Sequence, residues 1–473
     1  MHDIDTPDAL KDADDFSKWY TKVVEAAGII DKRYNVKGAF VWLPWGYDIM
    51  LRIKSLWDSQ LKANGYKEMY FPLLVPLEYA RINDEWWRGF ENEAFYVSGG
   101  KDGKQDYVLR PTGEPAMYPM FSLWIHSYRD LPLKIYETVS SFRYETKHTR
   151  PLIRDREITV WHEIHTCHAT KQEAEEEIRF HMAIWDSIWD SLCITPLKVV
   201  KPKWEVFPGA VGAIEYYSVM PNGRVLENGS LNNLGQAYSR KFNIKFRNER
   251  GEEEYAWMTC TGNGARFLAA VIASFGDERG LVLPPSIAPI QAIIIPISHA
   301  QLEEANKLKG LLIKEGIRAD VDSSSETLGS KRYNWEIKGV PLRIELGKQE
   351  LSKGVVSVFR RDTLQKQELS MDKVTNSVKG LLSSISDSMR AKSKEALISK
   401  LRPCSKESQL KDEINSGNIA VVHYCNTEPC WHKIAEIEEG IELFGTSLED
   451  GEKGKCIVCG KETRVVGYVQ RTY

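Results

Sequence analysis

SSFRYETKHTRPLIRDREITVWHEIHT, residues 140–166, is the most informative segment of the chain. Its apolar ends predict two strands joined by a polar loop. Side chains two apart in a strand point the same way, so Arg143 and Glu145 should share a face; the returning strand should begin near Arg154 and Glu157. A guanidinium fork suits phosphate oxygens, and a carboxylate can bind an amine or Mg²⁺. Taken alone, such an Arg–Glu pair is more typical of a cross-strand ion pair on an open sheet face.

The segments around this stretch predict a sheet flanked by helices. Apolar residues at helical spacing predict helices over 15–28, 47–63, 171–191 and 262–275. Apolar or alternating runs predict strands at 67–76, 95–97, 107–110, 133–143, 156–165, 197–207, 213–220 and 252–260. The strand at 67–76 is interrupted by Pro72, which has no amide hydrogen for a sheet ladder and therefore belongs at an edge or a strand end.

GLVLPPSIAP, residues 280–289, carries three prolines and predicts a linker. Beyond it, strands alternate with helices, with a long helix predicted over 366–390, and this alternation indicates a small α/β domain with a mixed sheet. The organisation expected is an N-terminal tail over 1–15, a first domain over 16–284, a second over 285–390 and a third over 391–473.

Composition is that of a globular chain: 473 residues, 42% hydrophobic and 27% charged. No apolar run approaches the roughly 20 residues that cross a bilayer, and the acidic start resembles neither a secretory signal nor a transit peptide. We therefore expect a cytoplasmic protein without a membrane partner. The net charge of −3 does not announce a nucleic-acid partner, although a local basic face could still bind phosphates.

Three motifs in order resemble those of class II aminoacyl-tRNA synthetases. Phe-Arg-x-Glu, a loop, then Arg and an acidic residue is similar to motif 2; the helix before Pro72 looks like motif 1, and residues 265–285 look like motif 3. The resemblance implies a homodimer built on motif 1. It also implies catalytic roles for Arg143, Glu145 and Arg266. The residues expected around ATP are Arg143, Glu145, Arg154, Asp155, Glu227, Ser230 and Arg266.

Further segments resemble the archaeal-type prolyl-tRNA synthetases. YVLRPTGEPAMYP, residues 107–119, looks like the loop whose Thr112 and Glu114 would hold the ring ammonium of proline, although Thr-Gly-Glu is also a turn sequence. The proline-binding residues implied are Thr112, Glu114, Arg143, Trp161 and Asn232. RYNWEIKGVPLRIELG, residues 332–347, resembles the anticodon-reading segment, in which Glu336 and Arg343 would contact guanines.

Four of the eight cysteines cluster near the C-terminal end as C-x4-C and C-x2-C pairs. Cys425, Cys430, Cys456 and Cys459 fit a closed tetrahedral zinc site, with vestigial or redox thiols as the alternative. In the same family the final tyrosine, here Tyr473, lies with its carboxylate near the active site; a free terminus is the other interpretation.

The fold class expected is therefore α/β (α+β). It comprises an antiparallel-sheet class II catalytic domain, a mixed-sheet α/β anticodon-binding domain and a C-terminal α+β zinc-binding domain. The chain departs from the family at LENGSLNNLGQ, residues 226–236, where Glu227 replaces a Gln, Ser230 a Thr and Asn232 a His. TCTGNGAR, at the start of motif 3, has an unusual glycine content.

The function predicted is ATP-dependent ligation of L-proline to tRNA(Pro) through prolyl-adenylate, with Mg²⁺ on the phosphates and structural Zn²⁺. No role with DNA is expected. The altered segment around Asn232 keeps a second hypothesis open, a paralogue that activates another amino acid or loads another acceptor. A non-catalytic RNA-binding regulator is the third, against which the retained arginines and Glu145 argue.

Overall fold

The computed structural model describes residues 15–99 and 103–473. The predicted N-terminal tail, residues 1–15, lies outside the described part except for Asp15. That residue caps the first helix, because its carboxylate accepts hydrogen bonds from the amides of Ser17 and Lys18. No helix in the described ranges is long and apolar enough to cross a membrane.

The first unit is a large antiparallel sheet with helices on one face. Its helices are α1 Phe16–Ala26, α2 Pro44–Ala63, α3 Leu77–Ala80, α4 Asp84–Phe90, α5 Glu114–Trp124, α6 Lys171–Ser191, α7 Ala237–Lys241 and α8 Arg266–Phe275. Its strands are β1 Ile30–Asp31, β2 Val41–Trp42, β3 Lys67–Glu68, β4 Leu74–Pro76, β5 Phe95–Ser98, β6 Gln105–Leu109, β7 Leu133–Phe142, β8 Glu157–His168, β9 Leu197–Lys201, β10 Gly212–Val219, β11 Val225–Gly235, β12 Lys245–Arg247, β13 Glu253–Tyr255 and β14 Trp257–Asn263.

The central strands run antiparallel in the order β9-β10-β11-β14-β8-β7, with β3 at the end of the sheet. Helices α2, α6 and α8 cover one face, where Trp57, Trp185 and Phe267 pack ring against ring. Residues of β8 alternate between the two faces, so Ile164 joins this core while Glu163 and His165 point to the opposite side. The polar face of the sheet is therefore the one left for a ligand.

The second unit has a five-stranded mixed sheet in the order β16-β15-β17-β18-β19, parallel from β16 to β17 and antiparallel beyond it. This is the mixed α/β arrangement that the sequence predicts. The strands are β15 Ala292–Pro296, β16 Ala319–Val321, β17 Leu342–Leu346, β18 Val355–Arg360 and β19 Lys366–Ser370; the helices are α9 Leu302–Lys314, α10 Leu328–Ile337, α11 Lys348–Ser352 and α12 Val374–Lys400.

The third unit extends the first sheet rather than forming a separate one. Its strands are β20 Leu401–Cys404, β21 Ile419–His423, β22 Glu442–Thr446, β23 Gly454–Lys455, β24 Glu462–Thr463 and β25 Val466–Gln470, and its helices are α13 Glu407–Asn415 and α14 Glu428–Ala435. Strand β22 pairs with β9 through Thr446 and Val200, which makes one sheet of eleven strands. The third unit is thus anchored on the β9 edge of the first sheet.

Two element predictions are wrong in an instructive way. The helix predicted over 366–390 is a strand at Lys366–Ser370 followed by a helix at Val374–Lys400, because pairing with β18 overrides the helix-favouring composition of KQELS. That helix runs past residue 390, the predicted domain boundary. The single strand predicted over 67–76 is two short strands, β3 and β4, in different sheets, separated at Pro72.

Strand β11 was not among the predicted strands, although it is central to the sheet. Its sequence VLENGSLNNLG is rich in residues typical of turns, and it extends here because it pairs along both edges, with β10 and β14. The strand predicted over 252–260 is divided at Ala256 into β13 and β14. Strand β7 ends at Phe142, so Arg143 and Glu145 follow the strand instead of alternating within it.

Candidate active site

A cavity of about 320 Å³ opens on the polar face of the sheet. It lies between the β7–β8 connection, strands β11 and β14 and the start of α8. All eleven residues predicted to bind ATP or the amino acid line it: Thr112, Glu114, Arg143, Glu145, Arg154, Asp155, Trp161, Glu227, Ser230, Asn232 and Arg266. The structure thus brings together residues that are up to 154 positions apart in the sequence.

Arg143 is held at the cavity wall by two aromatic rings. Its guanidinium carbon lies 5.5 Å from the ring centres of both Phe90 and Trp161, and its Nε donates to the carbonyl of Pro111 at 3.3 Å. Within the described ranges, no carboxylate lies within ion-pair distance of this guanidinium. Burial and the neighbouring Arg266 lower the pKa of Arg143. A cation that is oriented but not neutralised is suited to bind an anion.

Arg266 begins α8 and is fixed by three contacts. Its Nε donates to the carbonyl of Ile153 at 2.9 Å, and its Nη1 donates to the carbonyl and the carboxylate of Glu227 at 2.8 and 3.0 Å. Strand β11 therefore positions motif 3 through Glu227. This contact explains how a carboxylate in place of the family's Gln is accommodated without an unpaired charge.

The β7–β8 connection contributes a second, looser pair. Arg154 Nε lies 4.0 Å from Glu145 Oε2, and both side chains are about one-fifth to one-quarter exposed. Asp155 has a different position: it is buried, and both of its oxygens accept from the amide of Leu152 at 3.1 Å. Burial raises the pKa of Asp155 well above its ordinary value. Asp155 shapes the loop, which leaves Arg154 and Glu145 at its surface.

The deep end of the cavity is organised by Glu163. Its Oε2 accepts from the Thr112 hydroxyl at 3.2 Å and from the Gly113 amide at 3.0 Å, and it lies 3.3 Å from His165 Nε2. A Cβ on Gly113 would lie 2.7 Å from the Glu163 carboxylate, so glycine is needed for this close approach. By itself burial raises the pKa of Glu163, but the hydrogen bond and charge of His165 bring it down to about 2.

Arg110 lies behind Glu163 and is completely buried. It forms a 2.5 Å ion pair with Glu137 and lies 4.0 Å from Glu163. Burial raises the pKa of Glu137 to about 7, with Glu163 adding to the rise. The deep end therefore contains more carboxylates than cations, which favours a positively charged ligand there.

Glu114 begins α5 and is buried, with its carboxylate facing the cavity. Its Oε1 lies 3.9 Å from Cys260 Sγ, and in the described structure its Oε2 has no hydrogen-bond partner. Burial raises the pKa of Glu114, an effect that His165 only partly offsets. A buried carboxylate with an unused oxygen calls for a donor or a cation from the ligand.

Trp161 explains the glycines at the start of motif 3. A Cβ on Gly262 would lie 2.7 Å from the indole of Trp161, and one on Gly264 would lie 3.3 Å from it. Gly262 in β14 is therefore needed to make room for the indole beside Arg143, and Gly264, just after the strand, eases the packing further. The unusual composition of TCTGNGAR is thus a packing requirement of this cavity.

Among the cavity residues that sequence reasoning missed, four carry titratable groups deep in the site: Glu163, His165, Glu215 and Cys260. The first two were visible in WHEIHT, where polar residues alternate along a strand, next to Trp161. Glu215 is a carboxylate whose side chain is only 15% exposed. Its partial burial raises its pKa to about 7, and it accepts from the Tyr217 hydroxyl at 2.6 Å. Nothing in the local sequence distinguishes Glu215 or Cys260 from ordinary strand residues.

Ser230 and Asn232 lie side by side on β11. The Asn232 amide donates to the Ser230 hydroxyl at 2.9 Å and lies 3.8 Å from Cys260 Sγ, while its buried Oδ1 has no partner in the described structure. These residues make the wall next to Glu114 polar.

Glu336 and Arg343 lie in the second unit and are not among the residues that line the cavity. They form a 2.6 Å ion pair, and Arg343 also donates to Glu345 at 3.0 Å and lies over the ring of Phe359 at 4.2 Å. Arg343 is only 8% exposed. The side chain of Glu336 is therefore more accessible to a nucleic acid than that of Arg343.

The four clustered cysteines lie together in the third unit. Their sulfur atoms are all within 4.8 Å of one another, with Cys430 on α14 and Cys456 and Cys459 in the β23–β24 turn. A hydrogen bond with the backbone of Lys461 lowers the pKa of Cys459 to about 7. Four converging sulfurs fit a tetrahedral zinc ion.

Tyr473 is not among the residues that line the cavity. Its ring lies 5.1 Å from the guanidinium of Arg150 in the β7–β8 connection, its hydroxyl accepts from Asn222, and its amide donates to the carbonyl of Val225. It therefore packs behind the motif 2 loop.

Two family profiles match the chain. The class II core domain of tRNA synthetases (G, H, P, S and T) matches residues 95–275, and an anticodon binding domain matches residues 291–381. The first range contains all residues that line the cavity except Phe90, and the second contains Glu336 and Arg343.

Among curated relatives, the proline–tRNA ligase of Methanopyrus kandleri is 40% identical over 97% of this chain and 96% of that protein. That of Methanosarcina mazei is 40% identical over 98% of both. Among solved structures, Giardia lamblia prolyl-tRNA synthetase in complex with prolyl-adenylate superposes with a TM-score of 0.91 at 34% identity, covering 97% of this chain and 98% of that one. The Cryptosporidium parvum enzyme complexed with L-proline and AMP gives 0.90 at 30% identity, covering 97% of each.

Proposed function

The chain belongs to the prolyl-tRNA synthetases, class II enzymes that attach proline to tRNA in an ATP-dependent reaction, and we propose that its cavity forms prolyl-adenylate with the residues described above. One observation carries this assignment of residues. Arg143 is an oriented, unpaired cation at one end of a cavity whose other end holds the unpaired carboxylate of Glu114. An amino acid lying between them would present its carboxylate to Arg143 and its amine to Glu114.

ATP then takes the side of the cavity that contains Arg154, Glu145 and Arg266. In the adenylation step the proline carboxylate attacks the α-phosphorus in line, and pyrophosphate leaves. Arg143 contacts the α-phosphate and the carboxylate, so it opposes the charge that develops between them. Arg154, on the loop surface, faces the terminal phosphates. Mg²⁺ would neutralise phosphate oxygens, and the carboxylates of Glu145 and Glu227 are suitable ligands for it.

Transfer needs little more from the side chains. The terminal ribose hydroxyl of tRNA attacks the carbonyl of the adenylate, and AMP leaves. Positioning of the two reactants accounts for most of the rate, since the mixed anhydride is already activated. We assign no side chain as general base.

The test is amino-acid-dependent pyrophosphate exchange, run with L-proline and with a panel of other amino acids. We expect exchange with proline, followed by charging of tRNA(Pro). Exchange with another amino acid alone would favour a divergent paralogue, the reading that Asn232 and Glu227 keep open. Binding of tRNA without any exchange would favour a non-catalytic regulator.

We propose that the three units have the roles that the sequence predicts. Residues 16–284 carry out catalysis, residues 285–390 bind the anticodon and residues 391–473 bind zinc. The Cys425 cluster would hold structural Zn²⁺, which would clamp α14 to the β23–β24 turn. A cytoplasmic location follows from the proposed tRNA substrate.

We propose that the enzyme is a homodimer through the segment that resembles motif 1. Strand β3 ends the sheet, and apolar side chains near it are exposed: Tyr70, Leu74, Leu123 and Trp124, from 40% to 72%. An apolar patch beside a sheet edge is typical of an interface. Light scattering should give twice the chain mass. Trp124→Glu should shift the protein toward monomer, and Ile313→Glu, on α9, should not; a monomeric wild type would contradict the proposal.

A further inference from the structure

One tryptophan of the third unit lies against the first unit. Trp431, on α14, is only 6% exposed. Its ring centre lies 6.2 Å from that of Trp204, edge to face, and 5.8 Å from Lys201 Nζ. Lys201 ends β9, and Trp204 follows a few residues later. Both distances are within the range of attractive ring–ring and cation–ring contacts, so Trp431 joins the two units at two neighbouring points.

The first of these contacts connects Trp431 to Arg266. The Lys201 side chain is 10% exposed, and its Nζ lies 3.6 Å from Glu215 Oε2 and donates to the carbonyl of Phe444 in β22 at 3.3 Å. Glu215 and Glu227 both line the cavity, and their carboxylates repel each other. Glu227 accepts from Arg266 at 3.0 Å. Lys201 therefore balances a second acid beside the ion pair that fixes Arg266.

The second contact connects Trp431 to Arg143. Trp204 is followed directly by residues 205–207, which line the cavity. The ring centre of Phe207 lies 6.3 Å from that of Phe90, and Phe90 is one of the two rings beside the Arg143 guanidinium. The buried indole nitrogen of Trp204 has no hydrogen-bond partner in the described structure, so its ring is held by packing. In a close-packed interior, a shift of this ring also displaces the wall beside Arg143.

We propose that Trp431 is a positioning residue for ATP, through which the third unit holds Arg143 and Arg266 in the geometry that binds the phosphates. Each series of contacts is continuous from α14 to one of the two arginines, as coupling between distant groups requires. Small displacements of positioning groups are costly. The proposal rests on the proposed ATP site, and it gives the third unit a role in that site beyond zinc binding.

Calorimetric titration with MgATP, without amino acid or tRNA, tests the role of Trp431. Trp431→Leu keeps an apolar side chain but removes the ring from both contacts. It should raise the dissociation constant of ATP about tenfold or more, because both arginines lose support. Trp431→Phe retains a ring and should recover most of the affinity.

The matched control is Leu410→Ala. Leu410, on α13, is fully buried in the same apolar core of the third unit. Its truncation loosens that core but removes neither contact of Trp431, so this variant should bind ATP like wild type. Thermal unfolding of every variant confirms that it is folded at the temperature of the titration.

Lys201→Met tests the same connection from the first unit and takes the place of Trp431→Leu if that variant does not fold. It keeps the aliphatic stem and removes the charge. The dissociation constant and the KM of ATP should rise, while the KM of L-proline in pyrophosphate exchange should stay within about twofold of wild type. Lys201 and Trp431 share one contact, so their effects should sum to less than additivity in the double variant.

Three results would overturn the proposal: wild-type ATP affinity in folded Trp431→Leu and Lys201→Met, an equal loss in Leu410→Ala, or full additivity in the double variant. Pyrophosphate exchange on the same samples separates it from the proposed function. Exchange with proline by wild type, together with normal ATP binding by the variants, removes only the role of Trp431. Wild type that binds ATP but exchanges with no amino acid contradicts the proposed function, and the ATP titrations then still decide the role of Trp431.

Discussion

At the residue scale, the candidate site is defined by charges that the protein orients but does not neutralise. Arg143 has aromatic rings on two sides and no carboxylate partner in the described ranges, whereas Arg266 is tied to Glu227 and the backbone. Because the Arg143 guanidinium is held in place but not paired, its full charge is available to a ligand. Arg143 is therefore the residue on which adenylate formation should depend most.

Replacing Arg143 by Ala should reduce the rate of pyrophosphate exchange by at least about 100-fold, because loss of a charge-assisted phosphate contact in such a site costs roughly 3 kcal/mol. The unfolding temperature should change little. Arg33→Ala, which removes an arginine whose side chain is 80% exposed, is the control and should exchange normally. Near-normal exchange in a folded Arg143→Ala protein would remove Arg143 from the phosphate clamp.

Glu215 should make stability depend on pH. Burial raises its pKa to about 7, so the folded chain holds this proton more tightly than the unfolded chain does. Its contribution is fully present below about pH 4.5 and is lost as the pH rises through 7. Near pH 4.5, Glu215→Gln should therefore unfold at the same temperature as wild type. At pH 8 it should unfold at a higher temperature, because its free energy of unfolding should exceed that of wild type by at most about 3 kcal/mol.

Thermal unfolding of both proteins without nucleotide at the two pH values measures this difference. Glu249→Gln, on an exposed turn, should track wild type at both. A stability gain for Glu215→Gln that is the same at both pH values would show that titration of this carboxyl is not its cause.

At the element scale, strands β8 and β14 build the site by alternation and by close approach. Strand β8 sends Ile164 to the helix-covered core and Glu163 and His165 to the cavity. Gly262 in strand β14 and Gly264 just after it have no side chains and so make room for Trp161. Trp161 in turn contacts Arg143. The position of Arg143 therefore depends on the missing side chain at Gly262.

Gly262→Ala should displace the Trp161 ring, since the added Cβ would lie 2.7 Å from it. We expect exchange to fall by about tenfold or more, because small displacements of positioning groups are costly in rate. Gly212→Ala, in strand β10 with open space at its Cβ, is the matched control. Unchanged exchange and unchanged tryptophan fluorescence in Gly262→Ala would show that the ring adapts without consequence.

At the scale of the whole molecule, the anticodon-binding unit is joined to the catalytic unit next to Glu336. The backbone carbonyl of Glu336 accepts from Arg361 at 3.1 Å, and Arg361 also pairs with Asp277, just after α8. The indole of Trp45, at the start of α2, donates to the carbonyl of Lys338. The segment proposed to read the anticodon is thus part of the junction between the two units.

Glu336→Gln and Arg343→Gln should each weaken charging of tRNA(Pro) by about 1–3 kcal/mol and leave proline-dependent pyrophosphate exchange almost unchanged, since exchange needs no tRNA. Arg343 orients Glu336, so the two effects should not add in the double variant. Lys379→Gln, in the same unit on α12, serves as the control. Equal damage to charging and exchange would indicate that the pair supports the junction rather than reading the anticodon.

From the amino-acid sequence alone, strand alternation and helical spacing predict the mixed sheet of the second unit. The class II core and the eleven residues proposed to bind ATP or the amino acid follow from the resemblance of the sequence motifs to those of a known family, and the structure places these eleven residues around one cavity. The cysteine spacing likewise predicted four sulfurs in one place.

Features that depend on contacts between distant segments could not be predicted from local sequence. Strand β19 and strand β11 are extended because neighbouring strands pair with them, against the preference of KQELS and of a segment rich in Asn and Gly. His165, Cys260 and Glu114 become one group only when β8, β14 and α5 are packed together, since nothing within each segment refers to the others. Burial has the same origin: the pKa of Glu215 is raised by the sheet around it, and no local pattern records how much solvent a side chain will lose.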